Sequence, residues 1–304
     1  MISNENMLEI IITPQNSGTR LDVFIAAEIP GLTRSAAEKL IKSGAITVNS
    51  AQKKAGYLLR QGESVQIDIP EPTTTDILPE NIPLNVLYED NEIIVVNKPK
   101  NMAVHPSASR VSGTLVNALL YRLGDELSGI NGVIRPGIVH RIDMDTTGVL
   151  VCAKTNAAHI SLSDQLMRHS MNRVYYTVVS GRLKDSGTID KPIGRAPSDR
   201  KKMAVVASGR NALTHYKTIE LYKKHSFAEV RLETGRTHQI RVHMASIGCP
   251  VLGDMVYGAA KQPWGLTSQV LHAGLLGLIH PRTGEYMEFT SPLPEYFEEL
   301  LKKL

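Results

Sequence analysis

The stretch at 70–83, PEPTTTDILPENIP, limits the fold of this chain more than any other feature. It carries four prolines, a threonine triplet and no helical or strand period, so no regular packed element can run through it. It parts two sequences of different texture. The expected organisation is a small module over 18–70, a linker over 71–83 and a larger domain over 84–304. A length of 304 residues suits about two domains.

The first part predicts two helices and then strands. Leu21, Phe24 and Ile25 share one face of a helix over Arg20 to Ile29. A second helix is expected from Thr33 to Ser43, with Ser35 and Glu38 as a capping box, Ala37, Leu40 and Ile41 inward, and Gly44 as the stop. Ile46 and Val48 alternate as a strand, and Val65, Ile67 and Ile69 as another.

Beyond the linker, short apolar runs predict strands at 92–97, 148–153, 175–180, 213–221, 228–232 and 240–244. Helices are expected at 115–123, 157–168 and 295–301. Strands joined by short turns, with the helices set apart, indicate an α+β domain on a mixed, largely antiparallel sheet. No glycine-rich phosphate cradle follows a strand, so dinucleotide and P-loop folds are set aside.

Composition narrows the class of protein. Apolar residues make up 42% and charged residues 21%, enough for a real core. The tightest apolar run, Ile93 to Val96, is far short of the ~20 residues of a membrane span. The start, Met1-Ile2-Ser3-Asn4-Glu5, lacks the pattern of a secretory leader, and two cysteines, Cys152 and Cys249, fit buried thiols in a reducing cytoplasm. A cytoplasmic monomer is the expectation. The charge is unevenly spread: residues 1–70 are neutral, whereas 91–304 hold 27 basic against 18 acidic groups. Residues 195–210 alone carry five Arg or Lys and one Asp. Such a basic body suits a polyanion, because neutralising phosphates releases counterions.

Two clusters can carry chemistry. The first is HRIDMDTTG at 140–148, where Thr146-Thr147-Gly148 is expected as a turn between strands. Asp143 and Asp145 would share one side of an extended backbone. They fit a paired-carboxylate hydrolase, a hard-cation site with further ligands, or a single nucleophilic or basic carboxylate beside an Arg whose charge favours its ionised form. The second cluster, LETGRTHQIRVHM at 232–244, places Arg236, His238, Arg241 and His243 in a strand-like stretch. The histidines are five apart, which suits neither helical zinc ligands nor one strand face, so no metal is expected. The five-residue spacing of the arginines turns one towards a buried partner and the other towards solvent or a polyanion.

These motifs together carry a resemblance. DNEIIVVNKPKNMAVHPS (90–107), HRIDMDTTG (140–148), RVYYTVVSG (173–181), LETGRTHQIRVHMASIGCPVLGDMVYG (232–258) and LHAGLLGLIHPRTGEYMEFTSPLP (271–294) resemble, in order, the motifs of the RluA/RluD family of RNA pseudouridine synthases. The departures are Asn101-Met102 in the first loop, Ile142 for Leu, Thr147 for Ser and Thr177 for Ala. Residues 20–69 resemble the alpha-L RNA-binding module known from ribosomal protein S-four. The resemblance implies an isomerase that needs no cofactor, with large-subunit ribosomal RNA as partner. It implies Asp143 as the essential carboxylate, Tyr175 against the flipped base, Arg241 paired with Asp143, and Arg141 entering the stack that the uridine leaves. Arg34 and Lys42 of the module, Arg200, Lys201 and Lys202 of the basic segment, and Arg236 are expected to face RNA. Lys39, Lys53 and Lys54 are further module candidates. The rival expectation is a non-catalytic ribosome-assembly factor on the same scaffold.

Overall fold

A computed structural model describes residues 7–29, 32, 34–68, 77–107, 110–124, 127–128, 136–199 and 202–304. Arg200, Lys201, Thr33, Ile69 and linker residues 70–76 lie outside the described residues. The chain forms two compact units, Met1–Ile77 with Ser128–Gly137, and Leu78–Leu127 with Ile138–Leu304.

In the first unit, strand β1 (Met7–Ile11) precedes helices α1 (Leu21–Glu28) and α2 (Arg34–Ser43) and strands β2 (Ile46–Val48) and β3 (Ser64–Asp68). The strands form an antiparallel sheet in the order β1-β3-β2. Leu21, Phe24 and Ile25 of α1 and Ala37 and Ile41 of α2 are buried with Ile46, Val48, Val65 and Ile67, as their spacing predicts. Gly44 ends α2 at φ +86°, a conformation that costs glycine least. The helix already includes Ser35, so Ser35 is not its N-cap, contrary to the capping-box expectation. The first residue of the helix, Arg34, joins a buried ion cluster. Asp22 is fully buried on α1 and accepts from Arg20 Nε and Nη2 at 3.0 Å and from Arg34 Nε at 2.7 Å. Arg34, expected on the RNA face, thus spends one donor inside the unit.

The second unit is built on a nine-stranded sheet. In chain order it contains β4 (Asn85–Glu89), β5 (Ile93–Lys98), α3 (Leu115–Leu123), β6 (Thr147–Ala153), α4 (Asn156–Met167), β7 (Asn172–Ser180) and β8 (Ser186–Asp190). A small hairpin of β9 (Ile193–Arg195) and β10 (Met203–Val205) follows, then β11 (Leu213–Leu221), β12 (His225–Leu232), α5 (Gln239–Ser246), β13 (Leu271–Ile279), β14 (Tyr286–Thr290) and α6 (Glu295–Leu301). The sheet order is β4-β5-β6-β13-β7-β12-β11-β8, with β14 on β13. Every strand pair is antiparallel except β6 with β13, so the sheet is mixed and mostly antiparallel, as expected. Ala158 and Leu162 of α4 pack on Val149 and Val151 of β6, and Phe297 and Leu300 of α6 on Val178 of β7.

Two expectations are corrected here. The turn in the first cluster is at Met144-Asp145, closed by the Thr146 N–H to Asp143 O at 3.0 Å, while Thr147 and Gly148 already belong to β6. Gly148 has φ +114°, and a Cβ there would lie 2.1 Å from Ala273 O, so the close parallel approach of β6 to β13 requires glycine. The second cluster is not a strand. Residues 239–246 are helix α5, entered through His238 in the left-handed region at φ +56°. The Gln239 side chain ties this entry together, accepting from Thr234 Oγ1 and Arg236 N at 2.9 Å and donating to Leu213 O and Thr214 Oγ1 at 3.0 Å. The side chains from Gln239 to Met244 are all buried, which erases the polar stripe by which a helix is recognised in sequence.

Candidate active site

The loop from Gly137 to Thr146 carries His140, Arg141 and Asp143 to the start of β6. Buried Ile142 anchors it. So does Lys98, at the end of β5 and opposite Gly148. Lys98 is fully buried and donates to Pro99 O at 2.7 Å and to Met102 O and Met144 O at 2.9 Å. Burial pushes its ammonium down to about 7, with Asp145 and Asp143 pulling the other way. His140 Nε2 accepts the Val151 N–H at 3.1 Å, and desolvation, aided by Arg173, pushes the ring down to about 3, so it is neutral.

Helix α5 brings Arg241 to this loop. Its Nη1 donates to Asp143 Oδ2 at 2.9 Å, while Nε and Nη2 form a fork on Asp254, at 2.7 and 2.9 Å. Asp254 is fully buried and also accepts the N–H groups of Val256 and Tyr257. Burial raises the carboxyl of Asp254, but its bonds to Arg241 and the backbone outweigh it and hold it below the usual range. The same two carboxylates push Arg241 up against the opposing effect of burial. The Arg241 guanidinium also stands 5.2 Å over the Tyr257 ring. Tyr257 OH is 2.8 Å from His238 Nδ1, and His238 Nε2 lies 3.8 Å from Asp143 Oδ1.

Tyr175 and Tyr176 on β7 point to opposite faces of the sheet. Tyr176 packs in the apolar core, its ring 6.1 Å from Phe227. Tyr175 is buried, which raises its phenol, and it feels the charges of Arg173 and Asp143. Tyr175 thus lies on the sheet face opposite Tyr176, within reach of the Asp143 charge. Asp143, Arg241, Asp145 and Met144 open on a recess of about 230 Å³ shared with Met255 and Gln269.

The structure therefore brings together Asp143, Arg241 and Tyr175, with Arg141 exposed two residues before Asp143. Arg236 sits in the turn into α5, its Nε on Asn211 O at 2.9 Å, whereas Arg241 turns inward from the helix itself; the two part through this turn and not through strand alternation. Lys202 is exposed beside the β9–β10 hairpin, and Lys42 is exposed on α2. Sequence reasoning missed Asp254 and Lys98. Both stand in motifs quoted above, LGDMVYG and NKPKN, and an acid among glycines and a lysine before proline were the available signals.

Comparison with known proteins is consistent with this geometry. The RNA pseudouridylate synthase family model matches residues 92–246, which include Asp143, Tyr175 and Arg241, and the S4 domain model matches 19–65. The chain is 46% identical over 300 residues to the uncharacterized RNA pseudouridine synthase YlyB of Bacillus subtilis, covering 98% of both. It is 43% identical to the ribosomal large subunit pseudouridine synthase D of Zymomonas mobilis, covering 97% of both. Human RNA Pseudouridylate Synthase Domain Containing 1 superposes with a TM-score of 0.56 at 25% identity, over 74% of this chain and 95% of that one. With its fold, its ordered motifs and its full-length relatives in agreement, the chain belongs to the RNA pseudouridylate synthase family.

Proposed function

We propose that this protein isomerises specific uridines to pseudouridine in large-subunit ribosomal RNA, with Asp143 as the essential carboxylate. The substrate reading rests on the relatives named for the large ribosomal subunit. The chemistry rests on one observation: Asp143 is accessible at a recess while Arg241, itself forked onto buried Asp254, fixes its orientation. A non-catalytic assembly factor would have no use for that clamp.

The reaction breaks the bond from uracil N1 to ribose C1′, turns the base and joins C5 to C1′. The C5 proton leaves and N1 gains one, so the sum is an isomerisation with no external oxidant. Asp143 attacks the sugar or the uracil, or takes a ribose proton. The target must leave the RNA stack, a vacancy Arg141 fills, while Tyr175 lies against the flipped base. Residues 18–70, through Lys42 and the free face of Arg34, and the segment with Arg200, Lys201 and Lys202 dock the RNA, joined by a linker at 71–83 to the catalytic domain at 84–304. Both cysteines are free and buried, which suits a reducing cytoplasm. No described helix is long and apolar enough to cross a membrane.

The test uses deproteinised ribosomal RNA from a strain lacking this gene. The purified protein should restore pseudouridine at defined positions of the large-subunit RNA. Asp143→Asn should abolish conversion and leave RNA affinity within a few-fold, because the amide keeps shape and loses nucleophile and base. Comparable turnover by the variant would reject the assignment.

A further inference from the structure

Three arginines of the second unit meet around the turn into α5, and among the described residues no carboxylate pairs with any of them. Arg173, on β7 two residues before Tyr175 and hence on the same face, is only 7% exposed. Its Nη2 donates to Glu233 O at 2.6 Å, its Nη1 lies 2.8 Å from where a Gly235 Cβ would be, and its buried Nε has no partner. Arg236, next to Gly235, reaches across to Asn211 O, which places it beside exposed Arg210. Burial lowers the pKa of Arg236, and Arg210 and Arg173 each lower it further, so Arg236 is repelled by both. The nearest acid in sequence, Glu233, turns its carboxylate 2.7 Å from His215 Nε2 instead. A desolvated guanidinium with no anion, beside two more, is an arrangement that stability alone disfavours. It becomes favourable when an anion enters, and guanidiniums suit phosphate oxygens best.

We propose that Arg173, Arg210 and Arg236 form a binding site for a backbone phosphodiester of the substrate strand, close to the nucleotide extruded towards Tyr175. The site rests on the enzymatic reading above for the identity of the strand, and it deepens that reading by naming which phosphates are gripped near the chemistry. Gly235 leaves room for the Arg173 guanidinium, which any side chain there would displace.

The experiment is ethylation interference on the same large-subunit RNA, with the full-length protein and its Arg210→Gln, Arg236→Gln, Arg173→Gln and Arg173→Lys variants. The parent's binding should be blocked by ethylation at one or two phosphates flanking the converted uridine. Arg210→Gln and Arg236→Gln should each lose interference at those phosphates and keep it elsewhere. KM should rise about tenfold with kcat within about twofold, and the salt slope should fall by about one per lost contact. Arg173→Lys should recover part of what Arg173→Gln loses, since charge remains without the planar fork. An unchanged footprint and salt slope in both the Arg210→Gln and Arg236→Gln variants would overturn the site, as would a fall in kcat at constant KM. If the parent makes no pseudouridine but the variants still lose local phosphate contacts, the phosphate site stands and the enzymatic reading falls.

Discussion

In the first unit one fully buried carboxylate, Asp22, is gripped by two half-exposed arginines; in the second, one buried arginine, Arg241, is gripped by two carboxylates. The chemistry of the partners is the same, and the surplus differs. Around Asp22 the second arginine is balanced by Glu38, 3.8 Å from Arg34 Nε, so the cluster pins α1 to α2 with no charge left over. Around Arg241 the extra charge is a carboxylate. Asp254 is fully buried and uses both oxygens on the guanidinium, whereas Asp143 meets it through Oδ2 and borders the recess. The first cluster is thus closed on itself, whereas the second leaves one carboxylate, Asp143, facing a recess.

The contrast is broken most severely at Arg241. Arg241→Met leaves two carboxylates without their cation, and activity should drop about a hundredfold or more. Arg236→Met, which leaves both carboxylates paired, should keep kcat within about twofold. If the hundredfold loss belongs to Arg236→Met instead, the pairing has been assigned to the wrong arginine.

Asp254→Asn keeps Arg241 but frees its orientation. The expected loss is about tenfold in kcat with KM little changed, together with a stability loss of about 3 kcal/mol in urea unfolding. A variant that unfolds more easily but turns over like the parent would make Asp254 purely structural.

Asp22→Asn should cost about 2 kcal/mol of stability at neutral pH, less than a sealed ion pair because both arginines are half-exposed. Kcat at saturating RNA should be unaltered. The bonds from Arg20, against the opposing effect of burial and with Arg34 adding to them, hold the Asp22 carboxyl below its ordinary value. Its stabilisation is therefore complete above the unfolded carboxylate pKa of about 3.9 and is lost as pH falls towards the native one. Unfolding midpoints of parent and variant should draw together as pH falls from about 4 towards 2, and a gap that does not narrow over that range would contradict this account. The smallest effect is expected at Lys202, where Lys202→Gln should lower the salt slope of RNA binding by about one and leave kcat alone.

Much of the scaffold was legible because its elements keep one face polar. Leu115–Leu123, Leu213–Leu221 and Glu295–Leu301 fall where periodicity puts them. Burial on both faces is not by itself the obstacle, since β6 is buried throughout yet falls at the expected 148–153, but it hid two elements. Helix α5 looks like a strand because Ile240 and Val242 sit among residues that are all interior. Strand β13, LHAGLLGLI, shows no alternation, since its glycines at 274 and 277 make room for the rings of Tyr176 and Tyr286. At the site, Asp143 and Arg241 were recognisable from their motifs, but Asp254 was not, because its role exists only once α5 presents Arg241 to it.

The contact between Gly148 and the Ala273 carbonyl bears on how this site would look in a saturation-mutagenesis experiment. Position 148 should tolerate nothing, and it would score beside Asp143 as indispensable although it touches no reacting atom. Its intolerance belongs to strand geometry: a methyl group there would wedge β6 from β13 and swing the whole loop that precedes it. Activity alone would merge the two positions into one functional hotspot. Protein abundance measured alongside would separate them, with substitutions at 148 lost from the soluble pool and Asp143→Asn present at parental levels.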